Sequence, residues 1–485
     1  MNPKSENSVI CLLTSLLVVF TCTAVAQDVT VTVDLANPIL VSKFQIGVTH
    51  THYFWEDGHP TAVANARSLL VNGGVRYQNQ HIMGWGANNP EPSPGVYSWT
   101  SLDDRIALIL SMANTIPVIT FCTAPGWMKT SGQDWNMDDR VADSHVDDFA
   151  ALCATIAERY PAVNYFQVWN EFKGYWSSSL NNWDYVRYTT LYNAVYDAVK
   201  AVRPDAQLGG PYLCIRGDGA ITLGRSGTNT HSPIDSRDWD VLDYWMANKH
   251  GADFICFDRW LIDWHDGNYY TEAEEMLLTH FFGNVVGQLR AETNLPIWIS
   301  EFYGGMDGDA NFIAANHASC YYHCLLNDAN LALVWNPEQG EIDNYLFTDT
   351  ATSSGGQPTP HYYVVKAFND YFGPGTQIYQ ATSSSPNEVE ALASLDKTML
   401  INKTSSALTV SLDGNDVSLA GYEVRVLDTP ADIVNFEDFA VLGSYWADSP
   451  CSEPNWCEGY DTDFSGYVDF NDLQDFVEHW LLPPG

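Results

Sequence analysis

The chain reads as an α/β protein: a (β/α)8 barrel with an accessory antiparallel β-sandwich and a small C-terminal helical module. Three observations carry this. Short apolar runs alternate with amphipathic helical stretches between residues 43 and 340. Beyond residue 375 the apolar period falls to two. The final stretch, 429–485, contains an internal repeat.

The apolar runs are Phe44–Val48, Gly74–Tyr77, Pro117–Phe121, Tyr165–Trp169, Ala206–Gly210, Phe254–Phe257, Pro296–Ile299 and Leu331–Trp335. Helical segments such as Val146–Tyr160 and Tyr185–Val202 lie between them. Apolar strands alternating with helices predict a parallel sheet covered on both faces. Eight such units predict closure into a barrel, here spanning 37–372. No Gly-rich fingerprint follows the first run, which speaks against a dinucleotide-binding fold. The stretch Ile215–Trp239, rich in Gly, Ser and Asp, predicts a long loop over one end of the barrel.

Polar and apolar residues alternate from Val389 to Asp428, with Asp413-Gly-Asn-Asp as a turn. Val29–Asp34 has the same period and either joins that sheet or pairs elsewhere. The sandwich is therefore assigned to 27–36 plus 373–428.

Residues 1–26 read as a signal peptide: Lys4, the apolar run Val9–Phe20, then Ala24-Val25-Ala26 before Gln27. Val19-Phe20-Thr21 is a poor context for lipidation of Cys22. Export to the periplasm, the cell surface or the medium follows as an expectation. No later run is long and apolar enough to span a membrane. Sixty acidic residues against 22 Lys and Arg give a net charge of −38. Such a field repels nucleic acid and anionic membranes. Of ten cysteines, Cys122, Cys153, Cys214 and Cys256 sit in or near apolar runs as buried thiols. Cys320 and Cys324 have a helical spacing that suits a metal, but no further His/Cys cluster joins them. Cys451 and Cys457 flank a short loop and are the disulfide candidates.

The C-terminal repeat pairs Val434–Phe439 and Trp446 with Val468–Leu473 and Trp480. Asp461, Asp463, Ser465, Asp469 and Asp472 precede or enter the second copy, with Gly466 at the turn and Tyr467 offering its carbonyl. Oxygens at positions 1, 3, 5, 7, 9 and 12 around a glycine are the spacing of a calcium loop. In the first copy Leu427 and Thr429 stand where Asp461 and Asp463 do, so one Ca2+ site is expected. The paired arrangement resembles a dockerin-type module. That resemblance implies a cohesin-like or cell-surface protein partner.

Glu171 ends the run Tyr165-Phe-Gln-Val-Trp-Asn-Glu, and Glu301 ends Pro296-Ile-Trp-Ile-Ser-Glu. The C-terminal ends of barrel strands form the active face of this fold. Strands four and seven are nearly opposite in an eight-membered ring, so two carboxyls there can flank one glycosidic bond. No cofactor is needed for that chemistry. Asn170 can bond a sugar hydroxyl and steady the site. His50, His52, Trp55, Gln78, Trp127 and Tyr303 also fall at strand ends or the loops after them, as subsite residues or as packing. His50 and His52 lack a third ligand for a metal.

Asn170-Glu171 with Glu301 resembles clan A of the glycoside hydrolases. Val168–Trp176, Tyr188–Val202 and Pro204–Tyr212 are similar to family 39 within that clan. The resemblance covers 43–350 in outline and this central segment in detail. It implies a retaining mechanism with Glu171 as acid/base and Glu301 as nucleophile. It also implies that Arg76 supports Glu301, unless it forms a barrel-lining salt bridge. Trp335 would be a sugar platform, or else a core tryptophan. Two features depart from family 39. Asp258, followed by Arg259 and Trp260, stands where the family often has His. Ala124–Thr130 is similar to family 30 instead. An Asp at 258 repels uronates and sulfates, which points to a neutral sugar. The expected function is a secreted retaining glycosidase acting on plant or algal poly- or oligosaccharides. The alternative is a non-catalytic carbohydrate-binding barrel or a scaffold-docked component.

Overall fold

The computed structural model describes residues 29–51, 58–215, 222–223, 229–230, 234–261, 270–305, 308–340, 344–429, 436–446, 450–452, 456–457 and 459–478. The expected signal peptide, His52, Trp55 and much of the stretch before Trp239 lie outside these residues.

Eight parallel strands close into a barrel in sequence order: Gln45–His50, Tyr77–His81, Ile116–Phe121, Tyr165–Val168, Gln207–Cys214, Phe254–Trp260, Ile297–Tyr303 and Leu331–Trp335. Helices Val146–Arg159 and Tyr185–Val202 follow the predicted segments closely and pack their buried faces outside it. The second strand begins at Tyr77, not at Gly74. Gly74 has φ +63° and turns the chain out of helix Pro60–Asn72. The strand itself, Tyr-Gln-Asn-Gln-His, is polar because this part of the barrel interior is polar.

The interior is layered. At the N-terminal end Tyr77, Tyr165, Phe254 and Trp298 form an aromatic plug, with Phe254 stacked on Trp298 at 3.9 Å. Above it a chain of buried hydrogen bonds crosses the barrel. Asn79 donates to Thr49 (3.1 Å), Thr120 to Asn79 (2.9 Å), and Gln167 to Thr120 (2.9 Å). Ser300 in turn donates to Gln167. Each group satisfies the next, which is the condition for burying polar atoms at little cost.

The period-two region forms one seven-stranded sheet. Its order is Asn415–Leu419, Leu408–Leu412, Val29–Val41, Gln377–Ser383, Val389–Ser394, Lys397–Asn402 and Val424–Asp428. These strands are the expected accessory β-structure: hydrogen-bonded in one continuous order, they enclose a core of their own from Val29, Val31, Val389, Ala391, Leu400, Val410, Leu412 and Leu419. Val29–Val41 is an inner strand, third in that order, pairing antiparallel to Gln377–Ser383 and parallel to Leu408–Leu412. A buried polar cluster joins this sheet to the barrel. Glu390 accepts from Ser319 (2.6 Å) and Lys403 (2.7 Å), and bonds His323 (2.9 Å) on helix Ala310–Leu326.

Towards the C-terminus, helices Phe436–Tyr445 and Phe470–Glu478 are described, with a Cys451–Cys457 disulfide between them. Cys122, Cys153, Cys256, Cys320 and Cys324 are buried free thiols. No described helix is long and apolar enough to cross a membrane.

Burial pushes the Glu390 carboxyl up, but His323 and Lys403 outweigh it and hold it below its ordinary range. Its contribution to stability is therefore present above the unfolded-state value of about 4.3. It is lost as pH falls through the lower folded value. Lys403→Met leaves the charge buried without its ammonium and is expected to cost about 3–5 kcal/mol. Urea melts at pH 7 of this variant and of Glu390→Met/Lys403→Met check it. The double variant should recover most of the loss.

Candidate active site

Two β-bulges build the site. The sixth strand pairs Phe257 with Ile299 and then Asp258 with Glu301, so Ser300 is an extra residue on the seventh strand. Against the fifth strand, Cys256 pairs with Pro211 and Phe257 with Leu213, so Tyr212 is extra there. A bulge re-aims the side chains around it. Here both Ser300 and Glu301 point inward, and Tyr212, at φ +49°, turns its hydroxyl to Glu301.

Glu301 is only 3% exposed. Three donors hold it: Asn170 Nδ2 at 2.5 Å and Tyr212 Oη at 2.8 Å on Oε1, and Tyr303 Oη at 3.0 Å on Oε2. Asn170 reaches across from the loop after the fourth strand. In that loop Trp169, Glu171 and Phe172 all have positive φ, a conformation that costs free energy in non-glycine residues. Packing holds it: Trp169 is buried against Phe149 and Phe172 stacks on Tyr188 at 4.2 Å. Gly174, at φ +79°, closes the loop where any Cβ would meet the Arg140 backbone at 2.3 Å. Lys173 donates to Asn170 Oδ1 (2.8 Å), forms an ion pair with Glu171, and lies 5.5 Å from the Trp85 ring centre.

Asp258 lies between the two glutamates. Its neighbours in register are Glu301 on one side and Cys214 on the other. Carboxylate oxygens of Asp258 and Glu171 and the Cys214 sulfur are within 4.8 Å of one another. Asp258 is fully buried. Trp260 Nε1 donates to its Oδ2 at 3.3 Å, and its Oδ1 has no hydrogen-bond partner among the described residues. Burial raises both Asp258 and Glu301, and the Glu301 charge raises Asp258 further. Lys173 and three hydrogen bonds oppose the rise at Glu301. The pair thus separates: the charge is best held on Glu301 and the proton on Asp258.

Aromatic rings rim the carboxyls. Trp260 and Tyr303 are 5.2 Å apart, Tyr303 and Trp335 6.4 Å, and Trp335 and Trp85 5.9 Å at 90°. His81 sits between Trp85 (4.4 Å) and Trp335 (5.8 Å). Burial pushes it down to about 3, so it is a neutral imidazole. Half-buried indoles at right angles suit the C–H faces of a pyranose.

Asn170, Glu171, Asp258, Trp260, Glu301, Tyr303 and Trp335 therefore come together as the sequence predicts. Arg76 does not. It precedes the second strand, is exposed at the opposite end of the barrel, and donates to the Asn114 carbonyl at 3.2 Å. The three-residue shift of that strand moved it away, and Lys173 supplies the positive charge instead. His50 is buried and bonded to Gln78 at 2.9 Å, and burial lowers it to about 4. Trp127 donates to the Glu91 carbonyl at 2.8 Å and packs edge-on against His145, without a contact to the carboxyls. Lys173, Tyr212, His81 and Trp85 were not singled out as site residues. Lys173, two residues beyond Glu171, was within reach of a charge-balance argument. Tyr212 was not, because only the bulge turns it inward.

In the C-terminal stretch, carboxylate oxygens of Asp461, Asp463 and Asp472 lie within 4.8 Å of one another, and Asp461 and Asp472 are buried. Ser465 and Gly466 donate their backbone N–H to Asp461 at 3.0 and 2.8 Å. Ser465 Oγ points to the Tyr467 carbonyl (3.0 Å), and Asp469 N–H donates to Asp472 at 2.8 Å. Buried like charges without a cationic side chain bonded to them among the described residues fit a divalent ion.

No protein-family model matches the chain, and no curated protein sequence does. Solved structures do share its fold. A conserved exported protein from Bacteroides fragilis superposes with TM-score 0.61 at 12% identity, covering 82% of this chain and 99% of that one. The catalytic domain of the family 30 xylanase C from Talaromyces cellulolyticus gives 0.53 at 13%, covering 83% and 98%. A monomeric β-xylosidase from Caulobacter crescentus gives 0.53 at 16%, covering 79% and 83%. At these identities the likeness shows a common architecture, a closed parallel barrel with an attached sheet.

Because the folded protein keeps a proton on Asp258 that the unfolded chain releases above about pH 3.9, this burial costs more stability as pH rises. Asp258→Asn is expected to raise the melting temperature at pH 7 on the order of a few degrees. The gain should vanish near pH 3.5 (about the unfolded value). Thermal melts of both proteins at the two pH values decide it; a lowered melting temperature at pH 7 would contradict the assignment.

Proposed function

We propose that the protein is a secreted retaining glycoside hydrolase. The observation that carries this is Glu301: a buried carboxyl held by Asn170, Tyr212 and Tyr303 at the mouth of the barrel, with Glu171 on the loop that supplies Asn170. Glu301 attacks the anomeric carbon while Glu171 protonates the leaving oxygen. Glu171 then takes a proton from water, which releases the sugar from Glu301. The aromatic rim and the names of two structural neighbours, a xylanase and a β-xylosidase, support a pyranoside substrate. Three carboxyls against one lysine favour a neutral sugar of a plant or algal poly- or oligosaccharide. The resemblance of the central segment to family 39 is part of this reading. The C-terminal loop would hold one Ca2+ through Asp461, Asp463, Ser465, the Tyr467 carbonyl, Asp469 and Asp472, and its dockerin-like form would dock a cohesin-like or cell-surface partner.

Hydrolysis of a panel of aryl glycosides and polysaccharides tests the assignment. Glu171→Ala and Glu301→Ala should each lose at least about 10²-fold in kcat. Azide should restore Glu301→Ala as the glycosyl azide of opposite anomeric configuration. Arg76→Ala should stay within about twofold of wild type, since a surface change far from the site removes little. Silence of the wild type across the panel would favour the binding-barrel reading. Calorimetric titration of the full chain with Ca2+ should give one site, abolished by Asp461→Ala/Asp463→Ala. Partner capture should disappear with chelation.

A further inference from the structure

The ion pair between Lys173 and Glu171 raises a difficulty for the proposed chemistry, and its resolution rests on that reading of the site. An acid catalyst must carry a proton, yet Glu171 is bonded to an ammonium, the partner of a carboxylate. The group built to hold a proton is its neighbour. Asp258 is fully buried, with one long side-chain donor on Oδ2, Trp260, and the Arg259 backbone N–H beside it. Its Oδ1 has no hydrogen-bond partner among the described residues, and an oxygen of its carboxyl lies within 4.8 Å of a Glu171 oxygen. Glu301 beside it takes three donors and holds the negative charge.

We propose that Asp258 stores the proton of the resting enzyme and delivers it through one water molecule to Glu171, so that it acts through Glu171 as a positioning residue for general acid catalysis. A separation within 4.8 Å leaves room for at most one bridging water between the two carboxyls. The titratable groups facing Asp258 are Glu171 and Lys173 from the loop after the fourth strand, Tyr212 and Cys214 from the fifth, and Glu301 and Tyr303 from the seventh. Among these only Lys173 is cationic, and it is committed to Glu171 and Asn170. The rise of the Asp258 carboxyl by burial agrees with this.

The step balances as follows. The Asp258 proton passes to the water, and that water gives a proton to a Glu171 oxygen. Glu171 gives its proton to the glycosidic oxygen as the C1–O bond breaks and the Glu301–C1 bond forms. Asp258 is left as a carboxylate. In the second half, a water attacks C1, the Glu301–C1 bond breaks, and the proton released goes to Glu171. It returns to Asp258 by the same bridging water. The sum is hydrolysis by one water.

The test compares Asp258→Asn with wild type on two aryl glycosides of the sugar that the panel identifies. One carries phenol, which leaves only with acid assistance, and the other 2,4-dinitrophenol, which does not need it. The expected result is a loss in kcat/KM of at least about 10²-fold on the phenyl glycoside and under about fivefold on the dinitrophenyl one. The basic limb of the pH profile should move to lower pH, and Asp258→Glu should recover part of the phenyl activity. Equal losses on both substrates overturn the relay in favour of a sugar-binding role, and no loss on either overturns it outright. Glu171→Ala separates the two layers. If it is impaired on the phenyl glycoside while Asp258→Asn is not, the relay alone fails. If it is as active as wild type, the assignment of Glu171 fails and the relay with it.

Discussion

The burial of the Glu301 charge is the constraint from which the rest of the site follows. A carboxylate out of water costs several kcal/mol unless its oxygens are bonded. Three groups from three strand ends meet that demand: Asn170, Tyr212 and Tyr303. Tyr212 and Glu301 both sit at bulges, and neither would face the other in a regular ladder. Asn170 arrives on a loop with three non-glycine residues in the left-handed region. The strain of that loop is offset by the packing of Trp169 and Phe172.

The barrel beneath makes such geometry rigid. Its aromatic plug fills the N-terminal end, and the Asn79–Thr120–Gln167–Ser300 chain ties four strands together just under the site. Ser300 is the extra residue of the seventh-strand bulge, so that chain anchors the segment that aims Glu301. The attached sheet grips the barrel on its outside through Glu390, Lys403 and His323. The candidate site and the fold's outer support thus use the same device, a buried carboxylate with both oxygens engaged.

The electrostatics of the site come from unequal satisfaction. Asp258 and Glu301 are neighbours in register and both buried, yet Glu301 has three side-chain donors and Asp258 a single long one. Unequal bonding is enough to place the charge on one and the proton on the other. Lys173 completes the balance from the loop side, in the role that Arg76 was expected to play.

Much of the fold was legible in the sequence because its signals are local. Period and apolar runs marked seven of the eight barrel strands in place, and the alternation of Val29–Asp34 placed it with the C-terminal sheet. Seven of the residues expected around the substrate meet in space, because Glu at a strand end is a one-dimensional pattern. The second strand was misplaced because the barrel interior there is polar, so Gln78-Asn79-Gln80-His81 carries no apolar signature. That shift sent Arg76 to the wrong end. Tyr212 and the single continuous strand order of the attached sheet were decided by tertiary structure alone. A bulge changes which way a side chain points without changing its residue type, and strand pairing joins residues hundreds of positions apart. The sequence by itself determined which elements form and which carboxyls end them; three-dimensional pairing decided which groups bond those carboxyls, and so which of them holds the charge.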